Sequence, residues 1–236
     1  MEVNLTFDNP ALKSIFADPN QTITLDANFL IPPDRGRLAR RSFDFPTFQQ
    51  IWLDPIFRAF PNLAIHEAVY DELVLPSTKS YVQKQMNATP PRLAIHRDSN
   101  LTKIEKMLRD SIEEKIYPLT KYDPLLDNRD DRGEVKSLAY IATKGLPYFA
   151  AHDSNAIQLV ENAEAWSTGL DNIQAVKMYE LIYFLYLMNP SEKRSLRILY
   201  KYQYHLTKHE KKTNPEWGQF LVRMEALYQI SPRENK

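Results

Sequence analysis

Four acidic residues, Asp26, Glu72, Asp131 and Asp153, stand where a divalent cation could be gathered. Asp26 closes the apolar run Ile23-Thr24-Leu25 and precedes Ala27-Asn28-Phe29-Leu30-Ile31. Asp153 follows a second run, Leu146-Pro147-Tyr148-Phe149-Ala150-Ala151. Short apolar runs bounded by turn residues read as buried strands. An acid at the exit of such a strand lies at the carboxyl edge of a parallel sheet, where α/β proteins place their ligands. Acids at two such exits can share one cavity. Oxygen ligands gathered there suit a hard cation such as Mg2+ or Mn2+.

Each acid also has an ordinary structural reading. Asp131, with Glu134 three residues on, matches a helix capping box. Asp153 before Ser154 can cap the next helix. Glu72 beside Asp71 fits a solvated helix face, and Glu67 competes for its role. Asp26 has the weakest such alternative, because a charge inside an apolar run is costly to bury without a partner.

The elements that would position these acids follow from pattern. Thr22–Leu25 is the first predicted strand, after a short helix over Pro10–Phe16. Two prolines and Gly36 make 32–37 a loop. A helix is predicted over Phe48–Phe60, with Ile51, Trp52, Ile56 and Phe57 on one side. A second strand is predicted over Asn62–Ile65 and a short helix over Glu67–Leu75, which Pro76 ends. The polar stretch 76–91 reads as an insertion and Arg92–His96 as another strand. Leu101, Ile104, Met107, Leu108, Ile112 and Ile116 recur at helical spacing and predict one amphipathic helix. Residues 117–130 read as a loop. Val135, Leu138, Ala139 and Ala142 predict a helix stopped at Lys144-Gly145. A strand to Ala151 and a helix over Ser154–Glu161 come next. A helix, a glycine and then a strand form the crossover of a parallel sheet. Residues 171–188 are predicted to be one long apolar helix, and 190–230 two helices broken near Thr213-Asn214-Pro215. No internal repeat stands out. The expected class is α/β, a parallel sheet flanked by helices. The domain would span 1–188 with an insertion near 76–130, and 189–236 would be a helical C-terminal extension packed on it.

Composition narrows the function. The 236 residues, 43% hydrophobic, suffice for a packed core. Cysteine is absent, which removes disulfides, thiol nucleophiles and thiolate zinc sites. Five dispersed glycines form neither a phosphate loop nor a dinucleotide fingerprint. No Gly-x-Ser-x-Gly elbow occurs. The first residues have no secretory pattern, and the run Leu181–Met188 is far short of the roughly 20 residues a bilayer span needs. A soluble cytoplasmic protein without a membrane segment is therefore expected. Thirty basic and thirty acidic residues balance, so any field attracting nucleic acid must be local.

The pattern resembles the PIN-domain nucleases, whose first strand ends in Asp, a small residue, then Asn or Ser. Here this is Leu25-Asp26-Ala27-Asn28, with Ala27 in place of the usual hydroxyl residue. The family's "v-x-x-E-L" helix is similar to Val69-Tyr70-Asp71-Glu72-Leu73, and its D-x-G-E helix start to Asp131-Arg132-Gly133-Glu134. Its last acid matches Asp153 in Ala151-His152-Asp153-Ser154-Asn155-Ala156. The likeness runs from about residue 22 to 187. It implies a PIN-like fold and hydrolysis of RNA with Mg2+ or Mn2+. Asp26 and Asp153 would ligate the metal, with Asp131 completing the shell or binding through water, and Glu72 would orient the attacking water or hold a second metal. Asn28, Glu67 and Glu134 are secondary candidates. A toxin-like role with an inhibitor or antitoxin protein, and a homodimer, fit the same resemblance.

Arg35, Arg37, Arg40 and Arg41 follow the first strand and are candidate RNA phosphate contacts, with a solvated loop weighed equally. From Ser191 to Lys236, ten basic and five acidic residues interleave with aromatics, which we read mostly as core. Two rivals stand beside the nuclease reading. One is a non-catalytic RNA-binding module on the same fold. The other is a partner-binding module using the apolar helix near 173–188.

Overall fold

The computed structural model describes residues 2–39, 43–152 and 154–230. Arg40, Arg41 and Asp153 lie outside these. The chain divides into two compact units, each assembled from separate stretches. One comprises 20–31 and 61–177; the other comprises 1–19, 32–60 and 178–236. The boundary read from the sequence was a single one after 188.

In chain order the elements are α1 (Pro10–Ala17), β1 (Ile23–Leu25), α2 (Phe45–Phe48), a π turn (Gln49–Leu53) and α3 (Asp54–Ala59). Then come β2 (Leu63–His66), α4 (Glu67–Glu72), α5 (Pro76–Met86), β3 (Leu93–His96), α6 (Lys103–Ile116) and α7 (Arg132–Lys144). The rest are β4 (Tyr148–Ala151), α8 (Ser154–Glu161), α9 (Ala163–Trp166), β5 (Gln174–Lys177), α10 (Met178–Met188), α11 (Lys193–Tyr204), α12 (Glu210–Thr213) and α13 (Trp217–Tyr228). Among the described residues no helix is long and apolar enough to cross a membrane.

The class is α/β. All five strands are parallel, in the order β3-β2-β1-β4-β5. Burial matches that order. Every residue of β1, β2 and β4 is buried, as strands covered on both faces must be. The edge strands β3 and β5 are only partly buried. Against the sheet, α7 buries Val135, Leu138, Ala139 and Ile141 together with Ile112 and Ile116 of α6 and Phe149 of β4. Gly145 ends α7 in the left-handed region at φ 64°, which lets Leu146 donate back to the Ile141 carbonyl.

The helical unit buries Leu12, Phe48, Trp52, Tyr183, Tyr200 and Phe220 completely. Tyr200 stacks on Phe220 at 4.5 Å, and Tyr204 and Trp217 are buried with them, so most of the tail aromatics are core, as expected.

Three expectations need correction. Residues 171–188 are not one helix: β5 precedes α10, because a continuous apolar run has no period to separate strand from helix. Helix α10 is not an exposed interface, since every residue except Tyr186 and Met188 is buried. The polar stretch 76–91 contains α5, anchored by buried Tyr81 and Val82.

Strands β2 and β3 carry the same tetrapeptide, Leu-Ala-Ile-His, paired in register from Leu63↔Leu93 to His66↔His96. This short repeat escaped the sequence reading. It sets two histidines side by side against the Tyr140 ring, with His96 stacked on it at 4.8 Å. The His96 Nε2 lies 3.1 Å from Thr24 Oγ1. Burial, and then the neighbouring His66, lower the His96 pKa from its ordinary 6.5 to about 4. The unfolded chain therefore binds a proton that the folded chain refuses. This contribution is complete above pH 6.5 and is lost as pH falls toward 4, about 3 kcal/mol in all. Denaturant unfolding of the parent and His96→Asn at pH 7 and pH 4.5 should show the variant losing less stability on acidification. Equal losses would exclude His96 as the source.

Candidate metal centre

The sheet order reverses at β1, with β2 on one side and β4 on the other, which opens a crevice at the strands' carboxyl ends. Asp26 stands at that crevice. Its N–H donates to the Ala150 carbonyl of β4 at 2.9 Å, extending the ladder by one bond. Its side chain is 2% exposed, and Oδ2 accepts from Asn28 Nδ2 at 2.9 Å and from the Asn28 N–H at 3.3 Å. Asn28 thus orients Asp26, while buried Phe29 and Leu30 anchor the turn beneath it.

Glu72 arrives from the end of α4, which buried Val69 and Leu73 fix in place. Its Oε1 accepts from the Gly133 N–H at 2.7 Å. A Cβ on residue 133 would fall 2.7 Å from Glu72 Oε2, so this approach requires glycine. Asp131 precedes α7 with φ 57° and does not cap it; its Oδ2 accepts from the Lys121 N–H at 2.9 Å. The capping-box reading of Asp131 and Glu134 is thereby replaced by a brace between the helix start and the preceding loop.

A cavity of about 360 Å³ brings these groups together. Asp26, Asn28, Glu72, Asp131 and Glu134 line it. Lys121, Arg129 and Asp130 line it too, and the sequence reading missed all three. They belong to an aperiodic loop, where the only signal was the charge run Arg129-Asp130-Asp131. Asp153 lies outside the described residues. The strand that leads to it is β4, whose Ala150 is bonded to Asp26.

The Glu72 carboxyl is pushed up to about 7. Burial is the main cause, and the negative charges of Asp26 and Asp131 add to it; the Gly133 N–H and Arg132 oppose it. Without a cation the folded protein holds a proton here that the unfolded chain releases above 4.5. This group's stabilising contribution is complete below 4.5 and is lost as pH rises through 7, the reverse of His96. A cation removes the need for that proton.

Gly133→Ala should separate geometry from stability. Alanine is the better helix former by about 1 kcal/mol, and the clashing atoms end a flexible side chain. The melting temperature should change by only a few degrees while Glu72 is forced off its N–H. Calorimetric titration with Mn2+ should show affinity lower by about tenfold, or 1.4 kcal/mol. Unchanged affinity would remove Glu72 from the site.

Glu67 is elsewhere. Its Oε1 accepts from the Asp98 N–H, and with His66 and Asp98 it forms a cluster whose polar atoms lie within 4.8 Å of one another. Hydrogen bonding accounts for that cluster. His66 Nδ1 accepts from the Ala68 N–H at 3.1 Å at the start of α4, so a neutral ring carries its proton on Nε2, toward Asp98 at 3.3 Å. A metal-bound histidine donates from its other nitrogen, and here that nitrogen faces a donor.

Arg35 is committed within the helical unit. Its Nη1 donates to the Tyr202 and Gln203 carbonyls, and its Nη2 pairs with Glu210 at 2.6 Å. Both terminal nitrogens are thus engaged in bracing the helical tail. Arg37 is exposed, and Arg40 and Arg41 lie outside the described residues. No family model, curated protein or solved structure matches the chain.

Proposed function

We propose that this protein is a divalent-metal-dependent endoribonuclease that hydrolyses RNA phosphodiester bonds at the Asp26, Glu72 and Asp131 cavity. One observation supports this above the others. Five carboxylates, among them Asp26, Glu72 and Asp131 from three separate elements, line a single cavity at the reversal point of a parallel sheet. Repelling charges held in one place are costly unless a cation is their purpose. The donor set is oxygen only, which fits Mg2+ or Mn2+. Asp26 and Asp131 would hold the ion, and Asp153 is kept as a third ligand on its sequence position. A bound cation would neutralise phosphate charge and acidify water. Glu72, beside the ion, would give up its proton as the cation binds and orient the attacking water. Lys121 and Arg129, both exposed at the cavity, would contact flanking phosphates, which position RNA without reading its sequence.

RNA, as opposed to another phosphodiester, rests on the resemblance to PIN-domain nucleases, as does an inhibitor or antitoxin partner. The test is digestion of a labelled RNA with Mg2+ or Mn2+ and with EDTA. Fragments are expected only with metal. RNA that is bound but left intact under every metal condition would overturn the catalytic reading in favour of an RNA-binding module.

A further inference from the structure

The predicted amphipathic face of α6 divides in two. Ile112 and Ile116 enter the core, while Ile104, Met107 and Leu108 are 80%, 65% and 49% exposed. Spacings of three and four place these three on one line along the helix. The docked side is occupied: Glu113 holds Arg109 at 2.7 Å and Lys136 at 3.3 Å. The outer stripe is therefore a second apolar face on a helix already seated. A contiguous apolar stripe rimmed by charges marks an interaction site, where single exposed leucines would not.

The charges identify the occupant. Lys103 and Lys106 lie in the first turn of α6, and Asp110 and Glu114 in its second half; all four are exposed. At about 100° per residue, Lys103, Asp110 and Glu114 share one edge of the stripe. On that edge the order, cation first and anions last, is the reverse of what the helix dipole favours. Asp110 touches Arg109 at 3.1 Å, while Lys103, Lys106 and Glu114 have no ion pair among the described residues. An edge that is basic at one end and acidic at the other complements itself when a second copy runs antiparallel.

We propose that α6 is the seam of a homodimer, with two copies meeting antiparallel across a two-fold axis near Met107 and Leu108. Such a contact uses the same patch on both partners. Met107 and Leu108 of each copy cover those of the other. Lys103 of one copy falls beside Asp110 and Glu114 of the second. A helix of this length spans about 21 Å. One helix pair is small among specific interfaces, so the dimer should dissociate on dilution in the micromolar range.

Sedimentation velocity on the full chain over a concentration series tests this independently of any nuclease activity. The parent should show a monomer–dimer equilibrium. The double variants Lys103→Glu with Lys106→Glu, and Asp110→Lys with Glu114→Lys, should each dimerise at least about tenfold more weakly. An equimolar mixture of the two should recover a dimer, because an acidic edge then meets a basic one. Circular dichroism melting checks that each variant folds. If one does not, Met107→Glu disrupts the same seam with a single exposed change. A parent that stays monomeric at the highest concentration overturns the proposal, as the stripe would then serve a different protein. It is equally overturned if the dimer persists unchanged in folded variants, or if the mixture fails to associate.

Discussion

Asp26→Asn should abolish metal-dependent RNA cleavage while leaving the fold intact or more stable. Asp26 is almost wholly buried in a cavity lined by four further carboxylates, those of Glu72, Asp130, Asp131 and Glu134, so its charge is repelled in the metal-free protein. Asparagine keeps one oxygen to accept from the Asn28 N–H and retains the shape of the turn. What disappears is one negative ligand, so cleavage should fall by about a thousandfold, or roughly 4 kcal/mol of barrier. Thermal melting in EDTA should match or exceed the parent. The Glu72 carboxyl should move down toward its usual range, because one of the charges raising it has gone. Undiminished cleavage by a folded variant would remove Asp26 from the site.

Glu210→Ala should give the largest loss of stability. Arg35 and Glu210 are nearly buried, with side chains 11% and 9% exposed. Glu210 also accepts from the Leu206 and Thr207 N–H groups, at 3.0 and 2.9 Å. Burial alone would raise its pKa; the Thr207 N–H and Arg35 overcome this and hold it low. Truncation leaves a guanidinium and two amides buried without their acceptor, a loss of about 3–5 kcal/mol. For a chain of this size that lowers the melting temperature by roughly 10 °C. Arg35→Ala should cost less, since Glu210 keeps its two amide donors, and the double variant should cost less than the sum. If Arg35→Ala instead weakened RNA binding and left melting untouched, Arg35 would count as a phosphate contact.

The Arg35 role shows where sequence reading stops. Its partner lies 175 residues away, and no local pattern links the two. Strands β1 and β4 were legible because a short apolar run between turn residues has few alternatives. Helix α7 was legible from its period and its terminal glycine. The run through β5 into α10 hid a strand, because neither element alternates. Periodicity found α6 but joined two apolar faces into one. At the site, Asp26, Glu72, Asp131 and Glu134 were legible as acids at element ends. Lys121, Arg129 and Asp130 were not, since an aperiodic loop gives no direction to its side chains. Asn28 was chosen from resemblance, and its amide proves to orient Asp26.

A divalent cation held among Asp26, Glu72 and Asp131 should compete with a proton on Glu72. Calorimetric titration of Mn2+ into the RNA-free protein at pH 6 and pH 8 tests it most directly. With Glu72 near 7, about a tenth of the molecules are ready to bind at pH 6 and about nine-tenths at pH 8, so affinity should rise about tenfold. Buffers of different ionisation heat should show proton release near pH 6 that Glu72→Gln abolishes, and Asp26→Asn should abolish binding. A parent that binds no Mn2+ at millimolar concentration, or binds it equally at both pH values and equally after Asp26→Asn, would rule out a cation site at these carboxylates.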